Sequence, residues 1–135
     1  MSKRIFILFG LLVVVLAVLI PWLAFRSNGD AALGVEKVPA NLQSGQTLFQ
    51  TNCGTCHTLY AAGTDGNFAP NLDELLAPTG LPTESGEQAT IEGRVLNAIE
   101  NGVDSTTPGR MPAGIISGEQ AKEVAEFVAN TAGEG

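Results

Sequence analysis

The chain has 135 residues and a net charge of −7, with two cysteines and one histidine, which leaves room for one domain of ordinary size plus an appendage. The charge is unevenly spread: residues 27–135 hold all 14 acidic groups against four bases, Lys37, Arg94, Arg110 and Lys122, a net −10. Such a surface argues against nucleic acid as a partner and for a basic protein face, beside its plainer effect of keeping the domain soluble.

The first 26 residues form the appendage. Ile5 to Phe25 is a run of 21 residues without a charge, and as a helix it would rise about 31 Å, the thickness of a hydrocarbon core. Lys3 and Arg4 precede the run and Arg26 follows it, a basic bias that predicts a cytoplasmic N-terminus and the remaining chain on the extracytoplasmic, periplasmic side. A cleavable signal peptide is the alternative. The run is longer than the usual apolar core of such a peptide, and Trp22, Leu23, Phe25 and Arg26 stand where a small-x-small cleavage site would be needed. Pro21 and Trp22 suit the interfacial end of a span. The expectation is a single-pass transmembrane anchor over 1–26.

Residues 27–43, with Gly29, Gly34 and Pro39, show no sustained apolar period and read as a flexible linker to a domain over 44–135. A first helix is expected from about Leu42 to Asn52, with Asn41 or Ser44 as its cap. After it comes Cys53-Gly54-Thr55-Cys56-His57. Two thiols three residues apart with a histidine directly behind them form the attachment pattern of a c-type haem, in which each sulfur adds to a vinyl group and the imidazole becomes an iron ligand. A thioredoxin-like redox pair would need a βαβ context, a zinc site four ligands rather than three, and a disulfide would leave His57 unexplained.

Thr58 to Asn71 contains Gly63, Gly66 and Pro70 and reads as loop; Asn71 then caps a short helix through Leu72, Leu75 and Leu76, which Pro78 ends. Residues 78–89 read as a surface excursion. Ile91, Val95, Ala98 and Ile99 recur at helical spacing up to Asn101-Gly102, and a capping box of Ser117 and Gln120 opens a terminal helix with Ala121, Val124, Ala125 and Val128 on one face. No strand of useful length is expected. The domain is therefore all-α with a thin core, and a buried porphyrin would add the apolar surface that it lacks.

The distal side of the iron decides between electron transfer and small-molecule binding. There is no second histidine, and Met111 is the one methionine beyond Met1. It stands in Gly109-Arg110-Met111-Pro112-Ala113-Gly114, where Pro112 holds it extended and the glycines allow close backbone approach. Its setting suits a sixth ligand better than a core-filling side chain on a helix.

With these residues in view, residues 41–132 resemble a class I, monohaem cytochrome c, through Cys53-Gly-Thr-Cys56-His57 behind a first helix, Ala69-Pro70-Asn71-Leu72, and Met111-Pro112 ahead of a terminal helix. Glycine often stands where this chain has Ala69. The resemblance implies one covalent haem c with iron ligated by His57 and Met111, a hydrogen bond from His57 to the Pro70 carbonyl, and a crossing of the N- and C-terminal helices at Gly45 and Phe127. With no tryptophan in the domain, Arg110 or Arg94 is the candidate for a haem propionate. It further implies a single-electron carrier rather than an enzyme, without a small-molecule substrate. Such a carrier would pass electrons between membrane redox complexes, from a donor such as a quinol-oxidising complex to an acceptor such as a terminal oxidase or reaction centre, or serve as a cytochrome subunit of one. The alternative is a haem-based gas sensor with a displaceable Met111.

Overall fold

The computed structural model describes residues 3–26, 38–104 and 109–135. The chain divides into two compact units, Met1–Gly34 and Val35–Gly135. The first contains α1, Lys3–Arg26, with Pro21 inside the helix rather than at its end; a proline forfeits one intrahelical bond but need not end the helix. The transmembrane expectation is corrected here. Among the described residues no helix is long and apolar enough to cross a membrane. The single-pass anchor falls with this, and so does the assignment of a cytoplasmic N-terminus and a periplasmic domain that was drawn from it. Most of the expected linker, residues 27–37, lies outside the described residues.

In the second unit the core begins at Val38 and Leu42, both buried. A 3-10 turn, Ala40–Leu42, leads into α2, Gln43–Asn52. Neither Asn41 nor Ser44 caps α2: the turn, closed by Leu42 N–H donating to the Pro39 carbonyl at 2.9 Å, starts the helix instead. The Ser44 hydroxyl donates to the Glu123 carboxylate at 2.8 Å, tying α2 to α5, Glu119–Thr131. The expected crossing is present. Gly45 lies against the Glu123 carbonyl and the Phe127 Cβ, and the rings of Phe49 and Phe127, both fully buried, meet at 6.1 Å and 59°. Only a residue without a side chain permits that approach of two helix backbones.

α3, Leu72–Leu76, is capped by Asn71, whose side chain accepts from Asp73 N–H. α4 spans Ser85–Asn101 and starts six residues before its first periodic apolar residue, Ile91. Its first three residues, 85–87, are exposed and so leave no apolar signal; the start is held by Gln88 donating from its backbone to Glu84 and from its side chain to the Pro82 carbonyl. A small antiparallel hairpin, β1 Thr58–Leu59 with β2 Thr64–Asp65, turns at Gly63 in the left-handed region. The capping box expected for α5 does not form: Gly118, at φ 60°, is the N-cap, and no side chain caps the helix. The predicted face of Ala121, Val124, Ala125 and Val128 is buried, but so are Phe127, Ala129, Thr131 and Ala132, because α5 packs against both α2 and α4.

Candidate haem site

The end of α2 delivers the first thiol. Cys53 and Gly54 N–H both donate to the Phe49 carbonyl, at 2.8 and 2.9 Å, and Cys56 and His57 N–H both donate to the Cys53 carbonyl at 3.0 Å. Residues 53–57 are thus one closed turn, with both cysteines and the histidine on it. The loop behind them is drawn in by Ala69 N–H donating to the Cys56 carbonyl at 2.9 Å. It passes so close that a Cβ at Gly66 would stand 2.6 Å from both the Cys56 carbonyl carbon and the Gly54 oxygen; Gly66 is required there.

This loop ends at Pro70, whose carbonyl lies 2.8 Å from His57 Nδ1. A carbonyl can only accept, so Nδ1 carries a proton, which leaves Nε2 as the nitrogen that a metal-ligating imidazole would use. Both cysteines are free and half-buried. Burial, with a smaller contribution from Cys56, pushes the Cys53 thiol up to about 11, so that it is a neutral thiol at ordinary pH. Among the described residues no group of three or more His, Cys, Asp and Glu side chains could hold a bare metal ion.

Met111 is carried by the segment between α4 and α5. It pairs with Val103 in an antiparallel bridge, Val103 N–H donating to Met111 at 3.0 Å and Met111 N–H to Val103 at 3.2 Å, and Gly114 N–H donates to the Ile99 carbonyl at 2.7 Å. Gly102, at φ 71°, makes the reversal possible; a Cβ there would lie 2.7 Å from the Met111 oxygen and 2.9 Å from Ala113 N. A groove beside Met111 is lined by residues between Asn101 and Ala113, and by neither cysteine nor His57. Arg110 is engaged with Asp104 at 2.8 Å on the surface, and Arg94 is exposed.

Half-buried apolar side chains from four segments pack on the one buried cluster: Leu48 and Cys53 by α2, Leu72 and Leu76 on α3, Val95 and Leu96 on α4, and Met111. The structure thus brings Cys53 and Met111 to a common core and joins His57 to Pro70. The cytochrome c family model matches residues 42–132. The chain belongs to the cytochrome c family. Among solved structures, the c-type cytochrome SorU from Sinorhizobium meliloti is 34% identical, the match covering 69% of this chain and 92% of that one with a TM-score of 0.51. A comparison with curated proteins found no match.

This cytochrome binds haem c covalently, with its iron, and works in haem-based electron transfer. The residues present fit that cofactor: two free thiols on one turn, an imidazole whose Nδ1 is engaged with a carbonyl, and half-buried apolar side chains around one core. Three contributors escaped the sequence reading. Leu96 lies beside Val95 at a position with no periodic signal. Gly102 was seen only as a helix stop. Asp73 carried no signal of its own in the short helix through Leu72, Leu75 and Leu76.

Proposed function

We propose that this cytochrome is a single-electron carrier whose haem iron is ligated by His57 and Met111, with Cys53 and Cys56 as the thioether attachment points. The observation that carries the reading is the 2.8 Å hydrogen bond from His57 Nδ1 to the Pro70 carbonyl, which leaves Nε2 as the ligating atom and raises its basicity. The bridge to Val103 supports Met111 as the sixth ligand by fixing its backbone. The bound haem supplies a one-electron couple, and a soft thioether opposite an imidazole favours a raised potential. With both axial positions filled by side chains, no position is left for a substrate. The acidic domain, −10 over residues 27–135, suits redox partners with basic docking faces; a quinol-oxidising complex as donor and a terminal oxidase or reaction centre as acceptor are of the expected class.

The test is axial. Ferric protein should be low-spin with the weak near-infrared sulfur-to-iron band, and ferrous protein should resist carbon monoxide. Met111→Ala should abolish the band, lower the potential and open the iron to carbon monoxide. Rapid carbon monoxide binding by the unmutated protein would refute His/Met ligation and favour a gas-binding role.

A further inference from the structure

Asp73 is the one buried charged side chain among the described residues, 5% exposed, and nothing in the electron-transfer chemistry uses it. Both oxygens of its carboxylate accept from backbone N–H groups. One oxygen accepts from Tyr60 N–H at 2.8 Å and the other from Gly133 N–H at 2.9 Å, across 60 residues of chain. Its own N–H donates to the Asn71 side chain at 3.0 Å, and its carbonyl accepts from Ala77. A carboxylate held by charge-assisted bonds to two distant segments is a stronger tie than a neutral side chain could make.

The position of this tie matters. Segment 70–73 runs beside segment 57–60, joined at one end by the bond from His57 Nδ1 to Pro70 and at the other by the bond from Tyr60 N–H to Asp73, each bridging 13 residues. The two bonds share one register. Slipping either segment by a residue breaks both, so the carboxylate at 73 sets where the Pro70 carbonyl meets the imidazole. Gly133 fastens the same carboxylate to the tail behind α5, where a Cβ at Gly133 would stand 2.6 Å from the Gly80 carbonyl carbon.

We propose that Asp73 is a positioning residue for the proximal histidine, locking the register that presents the Pro70 carbonyl to His57 Nδ1. This rests on the reading of His57 as an iron ligand. The experiment uses the haem-loaded full chain and its Asp73→Asn and Thr131→Val variants. Thr131, whose buried hydroxyl donates to the Phe127 carbonyl at 2.8 Å, controls for destabilisation near the same tail. In the ferrous protein, proton NMR follows the His57 Nδ1–H. Ring-current shifts of the imidazole report ligation separately from the exchange rate of that proton.

Asp73→Asn should speed Nδ1–H exchange on the order of tenfold or more, the scale of one lost charge-assisted hydrogen bond, and raise the potential as the imidazole loses basicity. Thr131→Val should lower thermal stability and leave both unchanged. A raised potential with unaltered Nδ1–H exchange in Asp73→Asn would reduce Asp73 to a nearby charge and overturn the proposal. An equal exchange change in Thr131→Val would overturn it as well. Absence of a ring-current-shifted His57 in the parent would refute ligation itself, a failure distinct from either.

Discussion

Replacing Gly45 by alanine should destabilise the domain even though the same change in an open helix stabilises it. A Cβ built at Gly45 lies 2.7 Å from the Phe127 Cβ and 3.0 Å from the Glu123 carbonyl carbon, and closer still to the Glu123 oxygen. Carbon contacts are comfortable at about 3.5–4.0 Å, so α2 and α5 must part by about 1 Å, and the yielding atoms are backbone. Overpacking of this kind costs about 1–3 kcal/mol or more, while alanine in a helix interior recovers about 1 kcal/mol. The net expectation is a loss of about 1–2 kcal/mol, or about 5–10 °C in melting temperature for a domain of this size. Gly93 provides the contrast, because it lies within α4 and a Cβ there meets nothing within 4 Å. Gly93→Ala should therefore gain about 0.5–1 kcal/mol. Thermal melts of the two haem-loaded variants, followed by far-ultraviolet circular dichroism and by the haem absorbance, decide it. Equal shifts, or a Gly45→Ala protein as stable as its parent, would refute the close crossing.

Gly102→Ala should place a Cβ on the Met111 carbonyl at a backbone angle that disfavours side chains; the near-infrared band should weaken and carbon monoxide should gain access, and an unchanged spectrum would count against Met111 as ligand or against the strap as its support. In haem-free chain, alkylation of Cys53 should rise about tenfold per pH unit and level off only near pH 11, because the folded value of about 11 stands above the reference of 9.0. By the same sign, the contribution of Cys53 to apo stability is present below pH 9 and lost as pH climbs towards 11; a midpoint near 9 would show the thiol unburied. Association with a basic redox partner should slow with salt, as the Debye length falls from about 10 Å at 0.1 M to about 3 Å at 1 M, and stopped-flow rates indifferent to salt would refute electrostatic steering.

The parts legible in the sequence were those that a few neighbouring residues determine. Spacing alone put Cys53, Cys56 and His57 on one turn; Asn71 announced its cap; the apolar period of α5 pointed to its buried face. Features fixed by distant partners were not legible. Asp73 reads as an acidic residue in the first turn of a short helix, and the partners that meet its buried carboxylate come from Tyr60 and from the return of the chain at Gly133. Ser117 and Gln120 have the spacing of a capping box, yet Gly118 at φ 60° turns the chain so that no side chain reaches the helix end. The hairpin at Thr58–Asp65 is two residues per strand, too short for a period, and is held by Thr64 Oγ1 donating to the His57 carbonyl. In α1, length and hydropathy implied a span that the described residues do not support.

The two ligand candidates are held in different ways, and the difference bears on function. His57 is fixed by its own turn, by Pro70, and by the tie through Asp73 to the last residues of the chain, so its surroundings couple α2, α3 and the tail of α5. Met111 sits on a segment that bonds to Val103 and Ile99 at the end of α4, with Gly102 as the pivot and Gly109 against Phe68. A carrier gains from this asymmetry. On the proposed ligation the imidazole and the thioether attachments would hold the porphyrin in place, while the softer sulfur of Met111 would be positioned by a short strap that pivots at Gly102. Changes at the α4 end should therefore tune the potential through the iron–sulfur contact without disturbing attachment, whereas changes at Pro70 or Asp73 act through the basicity of the imidazole. The two controls would be separate because the candidates are held by different segments, His57 by the end of α2 and the loop ahead of α3, Met111 by the segment behind α4.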